Sequence, residues 1–110
     1  MLKKEFRLKK KKEFNFIYKR GEVFYSKFLA LYIAKTKLSN SKVGFVVGHK
    51  VGNSVIRHKV KRRLSEIVKN YVLSLPVNNY IFVAKSGCEQ LDFESLQQNI
   101  EYILKKANLV

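Results

Sequence analysis

Apolar residues change period several times along this chain, and each change marks an element. Phe14, Ile17 and Tyr18 fall at i, i+3 and i+4 in "KKKKEFNFIYKRG", which predicts a first helix. Gly21 stands just past its end, with Lys19 and Arg20 in the last turn, where cations suit the helix dipole. "EVFYSKFLALYIA" is dense in β-branched and aromatic residues and predicts strand, broken or bulged at Ser26-Lys27. After the polar turn "KLSNSK", the apolar run "VGFVV" at 43–47 predicts a central strand. From Asn53 the helical period returns through Ile56, Val60, Leu64, Ile67, Val68 and Tyr71. Val51 and Val55 join this set as expected core residues. Asn53 is a natural N-cap, the helix is expected to end near Tyr71 or Val72, and Pro76 forbids its continuation. "YIFVA" at 80–84 predicts a buried strand, and Phe93, Leu96, Ile100, Ile103 and Leu104 give a closing helix one apolar face.

The resulting order is α-β-β-β-α-β-α. It predicts an α+β two-layer sandwich, with helices packed on a small sheet. The 110 residues suit one domain, 1–110, with 1–8 as a flexible basic lead-in. The longest apolar run, "FLALYIA", is far short of the roughly 20 residues a membrane span needs. Cys88 is the single cysteine and has no internal disulfide partner, which fits a reducing compartment, and a cytoplasmic protein is expected.

Charge changes the picture. The formal net charge is +15, and 20 of the 23 Lys and Arg lie in the first 70 residues, which carry +16 while the last 40 carry −1. Such asymmetry points to an electropositive side and a polyanionic partner. "KVGNSVIRHKVKRR", residues 50–63, holds six of the cations. In its helical part Arg57 and Lys61, His58 and Arg62, and Lys59 and Arg63 are i, i+4 neighbours. Like charges so spaced weaken a helix unless an anion lies over them. Lys50 and the backbone N–H groups of "KVGN" add a phosphate-binding helix start. Phe14, Tyr18, Tyr25 and Tyr32 supply aromatic faces beside basic residues, a composition suited to stacking on unpaired bases.

Catalytic chemistry is poorly supplied. The chain has one aspartate and seven glutamates, and the only close acidic group is Glu89, Asp92 and Glu94. They suit the start of a helix better than a metal site. His49 and His58 are the only histidines, and no P-loop, GxGxxG or HExxH is present. No catalytic residue, metal ligand or small-molecule substrate is assigned to the chain.

"KVGNSVIRHKVKRRLSE" resembles the signature of the bacterial ribonuclease P protein subunit, K-[IV]-G-N-A-V-x-R-N-R-[IV]-K-R. Lys50, Val51, Gly52, Asn53, Val55, Arg57, Val60, Lys61 and Arg62 match it. Ser54 stands for alanine, and Arg57-His58-Lys59 stands for Arg-Asn-Arg. Lys59 keeps the charge without the bidentate fork, and His58 loses the amide. Gly48-His49 replaces the usual Ser-Lys. "RLKKKKEFNFIYKRG", "LALYIA", "VGFVV" and "YIFVAKSG" are similar to the rest of the family pattern, with Lys85 in place of a common arginine. The resemblance implies an accessory subunit of an endoribonuclease whose catalyst is RNA. That ribonucleoprotein removes the 5′ leader of precursor tRNA, with Mg²⁺ acting through the RNA. It also implies a left-handed β-α-β crossover around the long helix. Phe14, Tyr18 and Tyr32 would line a cleft for the leader. Lys50, Asn53, Arg57, His58, Lys59, Lys61, Arg62 and Arg63 would face the catalytic RNA. Two alternatives stand beside this reading: a general basic RNA-binding module such as a ribosomal protein, and a self-sufficient nuclease using His49 and His58.

Overall fold

Side chains along the most buried strand divide cleanly between two clusters. Tyr80, Phe82 and Ala84 pack in one, while Ile81 and Val83 pack in the other. A strand with apolar residues on both sides needs cover on both faces, and the helices supply it. A computed structural model describes residues 2–110. Its elements are α1 (Lys11–Arg20), β1 (Glu22–Tyr25), β2 (Leu29–Lys35), β3 (Lys42–Val47), α2 (Ser54–Val68), β4 (Asn78–Ala84) and α3 (Phe93–Lys106). Short 3-10 turns lie at Lys4–Phe6, His49–Val51 and Cys88–Gln90.

The α+β class and the element order are those read from the sequence. The two-layer description needs refinement, because α1 covers one face of the sheet through Ile17 and Phe14 while α2 and α3 cover the other. Leu29, Leu31, Val43, Tyr80 and Phe82 meet Val60, Leu64, Ile67, Ile100, Ile103 and Leu104 in the larger cluster. The four strands run in the order β1-β2-β4-β3. β1 with β2 and β2 with β4 are antiparallel, whereas β3 and β4 are parallel neighbours joined through α2. Ser26-Lys27 is the hairpin break between β1 and β2, closed by Ser26 N–H donating to the Leu29 carbonyl at 2.8 Å.

Four expectations are corrected. β3 is an edge strand, not a central one, because the long β2 ladder occupies the other side of β4. The run reads as central because the N-terminal segment covers its free edge: Arg7 bridges Val43, and the Leu8 N–H donates to the Val43 carbonyl at 3.0 Å. The same segment, read from sequence as a flexible lead-in, packs against the domain. Leu2 and Leu8 are buried, and the Leu2 N–H donates to Oγ of the buried Ser65 in α2 at 3.2 Å.

Third, α2 ends at Val68 and the chain continues in turns through Ser74. Tyr71 lies in those turns, where its hydroxyl donates to Glu101 Oε1 of α3 at 2.6 Å. Fourth, three residues expected in the core are exposed at the first turns of α2 and α3. Val55 is 75% exposed, Ile56 is also exposed, and Phe93 is 46% exposed. Periodicity identifies the apolar face of a helix; it does not say which positions of that face are covered. Val51 and Val60 are buried as expected.

Candidate nucleic-acid interface

The start of α2 is built as its sequence dictates. Asn53 is extended, and its side-chain oxygen accepts from the Ile56 N–H at 3.0 Å. Arg57 is half-buried and its Nε donates back to the Gly52 carbonyl at 3.2 Å, so its guanidinium is held across the corner between turn and helix. Lys50, His58, Lys59, Lys61 and Arg62 are exposed, as is His49.

The cations of α2 divide between two flanks. Arg57, His58 and Lys61 line a hollow against β3, together with Ser54, Phe45, Val46 and Val47. A second hollow shares Phe45 and Lys61 and continues past Gly44 to Phe14, Leu8 and Arg7. The basic flank of α2 is thus joined to α1 along the β3 edge. Gly44 makes this approach possible, since a Cβ there would lie 2.5 Å from the Phe14 ring.

Phe14 and Tyr32 pack with Val46 and Val83 on the cluster formed by Leu8, Ile17, Ala34 and Ile81. Tyr18 meets Tyr32 edge-on, with ring centroids 4.9 Å apart. Burial raises the Tyr18 phenol pKa, and the neighbouring Tyr32 adds to the shift. Tyr32 is raised in the same way by burial, then by Tyr25. Both phenols are therefore neutral near pH 7, presenting uncharged rings in a basic setting.

The sequence predicts that Phe14, Tyr18 and Tyr32 line one cleft. The fold brings them together and adds Tyr25 and Lys85. Tyr25 is half exposed, and Lys85 Nζ sits 5.0 Å from its ring centroid while donating to the Ser26 carbonyl at 3.0 Å. Tyr25 and Lys85 are 60 positions apart in sequence and meet only because β2 lies between β1 and β4. Strand pairing was the missing signal.

Lys59, Arg62 and Arg63 lie on the other flank of α2, away from β3 and facing Phe93 at the start of α3. Arg63 is the least available of the group, because its Nη1 donates to the Leu91 carbonyl at 3.1 Å and ties α2 to the segment before α3. Cys88 is buried and its thiol is pushed up to about 11 by burial and then by Glu89, so it is a poor nucleophile. Among the described residues no three His, Cys, Asp or Glu side chains gather as a metal-ion site. No helix is long and apolar enough to cross a membrane among the described residues.

The ribonuclease P family profile matches residues 2–108. The chain belongs to the ribonuclease P protein family. It is 31% identical over 109 residues to the ribonuclease P protein component of Streptococcus equi subsp. zooepidemicus, covering 99% of this chain and 92% of that one. It is 29% identical to the ribonuclease P protein component of Streptococcus agalactiae serotype Ia, covering 99% and 100%. Among solved structures, the Staphylococcus aureus RNase P protein superimposes with a TM-score of 0.89 at 28% identity, over 94% of this chain and 96% of that chain. A Staphylococcus aureus RNase P protein mutant with defective mRNA degradation activity gives 0.92 at 28% identity, over 97% and 92%. The fold is also that of the Thermotoga maritima RNase P protein, with a TM-score of 0.81 at 23% identity over 91% and 96%.

Members of the ribonuclease P protein family are the protein subunit of the ribonucleoprotein that processes the 5′ ends of tRNA, and this chain is therefore an accessory subunit of an endoribonuclease. Its partners are the ribonuclease P RNA and precursor tRNA. Family membership also sets aside the general RNA-binding module and the self-sufficient nuclease.

Proposed function

We propose that the cleft formed by Phe14, Tyr18 and Tyr32 holds the single-stranded 5′ leader of precursor tRNA. Lys50, Asn53, Arg57, His58, Lys59, Lys61, Arg62 and Arg63 then contact the ribonuclease P RNA. One observation carries this reading: two adjoining hollows share Phe45 and Lys61, one reaching Phe14 and the other Arg57. Unpaired bases stack on aromatic faces at one end, and phosphates meet cations at the other.

Mg²⁺ belongs to the RNA in this reading. The protein acts on the reaction by holding substrate and by neutralising phosphate charge around the RNA, which strengthens both substrate and Mg²⁺ affinity. Asn53 contributes through its position, since its amide oxygen already caps α2. Arg57 and Arg63 contribute with part of each guanidinium already engaged, by the Gly52 and Leu91 carbonyls. Action in the cytoplasm is supported by the tRNA substrate and by an unpaired, buried Cys88.

The test is cleavage of precursor tRNA by the cognate RNA, with and without the protein, across Mg²⁺ concentrations. The protein alone should not cleave. With the RNA it should raise cleavage most at low Mg²⁺, and affinity should grow with leader length. Stimulation that is independent of the leader would remove the cleft from the mechanism.

A further inference from the structure

The basic flank of α2 that faces away from the leader cleft ends on an exposed aromatic ring. Residues 59, 62, 63 and 66 are spaced i, i+3, i+4 and i+7, so they share one side of the helix. Lys59, Arg62, Arg63, Glu66 and Phe93 together line a notch between α2 and the first turn of α3. Phe93 is half exposed although its helix has a well-formed buried stripe beginning at Leu96. Its ring is therefore not needed to fill the core.

The cations of this notch, Lys59, Arg62 and Arg63, outnumber the nearby acids Glu66 and Asp92, which offset only part of their charge. Asp92 accepts from the Ser95 N–H at 2.7 Å as the cap of α3, and this bond is the main reason its carboxyl titrates below the usual value, with nearby Arg63 adding to the effect. Glu66 bridges Lys69 at 3.0 Å. Arg63 is fixed by the Leu91 carbonyl at 3.1 Å and forms a rigid cationic floor. Lys59 and Arg62 are exposed above it.

An exposed phenyl ring rimmed by lysine and arginine has the chemistry of a site for an unpaired nucleotide, whose base stacks while its flanking phosphates are paired. We propose that Phe93, Lys59 and Arg62 form a second RNA contact that takes an unpaired nucleotide of the ribonuclease P RNA. This deepens the RNA-binding reading above and rests on it. The RNA subunit is the occupant rather than the leader because the notch opens on the flank of α2 opposite the groove to Phe14. One helix would then be gripped by RNA on both flanks, with its apolar side on the sheet.

The experiment compares binding of ribonuclease P RNA to the wild-type protein and to Phe93→Ala, Phe93→Leu and Phe93→Trp, with melting temperatures measured alongside. Chemical probing of the RNA bound to each protein is read at single-nucleotide resolution. Phe93→Ala and Phe93→Leu should weaken binding by roughly 5- to 150-fold, the range of base–aromatic stacking. Both should lose protection of the same unpaired nucleotide, and Phe93→Trp should keep it. Leader dependence should be unchanged in every variant that binds. Phe93→Leu preserves apolar contact, so it decides the question even if Phe93→Ala folds poorly. Equal affinity and an unchanged protection pattern for Phe93→Leu and wild type would overturn the second contact alone and would return the notch to solvent or to a protein partner. Failure of the wild-type protein to bind the RNA would overturn the RNA-binding reading as well.

Discussion

The Tyr18 ring meets the Tyr32 ring edge-on, with centroids 4.9 Å apart and planes at 84°. One ring comes from α1 and the other from the second strand, so this contact joins the two elements and leaves both rings partly open to solvent. Replacing either by alanine should weaken binding of leader-bearing precursor tRNA by about 1–3 kcal/mol and leave leaderless tRNA unaffected. Tyr→Phe changes should be mild. Burial raises both phenols above their ordinary 10.0, so leader affinity should show no tyrosine titration below about pH 9. A fall in melting temperature with unchanged affinity would return the pair to the core.

The arginines of α2 should separate by experiment. Arg57→Ala and Arg62→Ala should each reduce the slope of log affinity for the RNA against log salt by about one. Arg62→Ala should change stability least, whereas Arg57→Ala and Arg63→Ala should each lower it by releasing a carbonyl, that of Gly52 at 3.2 Å and that of Leu91 at 3.1 Å. Salt-dependent binding and thermal melting of the three variants read both effects.

Tyr71 and Glu101 give a pH signature. The Tyr71 hydroxyl donates to Glu101 Oε1 at 2.6 Å, and this bond is the main reason its pKa is raised. A raised folded-state pKa contributes stability that is fully present below the ordinary phenol value and lost as pH rises through the folded value. Tyr71→Phe should cost about 1.5 kcal/mol, constant between roughly pH 7 and 9, and the gap to wild type should shrink above about pH 10. Denaturant unfolding at several pH values measures it.

Gly44→Ala should be destabilising by about 1–3 kcal/mol, because its Cβ would meet Phe14 Cε1 and Cζ at 2.5 Å. It should also displace the Phe14 ring and reduce leader affinity. Pairing it with Phe14→Leu should restore part of the stability without restoring leader binding, measured by melting and by binding to leader-bearing tRNA.

Much of this was legible in the chain. The N-cap at Asn53, the buried stripe at Val60, Leu64 and Ile67, and the break at Ser26-Lys27 follow from local chemistry that neighbouring residues decide among themselves. Ile56 and Phe93 match their helical stripes as well as the buried positions do but stay exposed at the first turns of their helices, and Val55 lies off its helix's buried stripe altogether. "VGFVV" has the apolar density of a central strand because its free edge is covered by residues 7–8 and not by a fifth strand.

The site shows the same division. That α2 would be basic, that the protein would meet a polyanion and that its aromatics would sit near cations are properties of composition and spacing. Which cations share a hollow with Phe14, which face Phe93, and that Tyr25 lies under Lys85 depend on strand order and on how α2 lies across β3. Periodicity is a local constraint and survives in sequence. Side chains brought together from positions far apart are chosen by how whole elements pack, and only the tertiary structure carries that information.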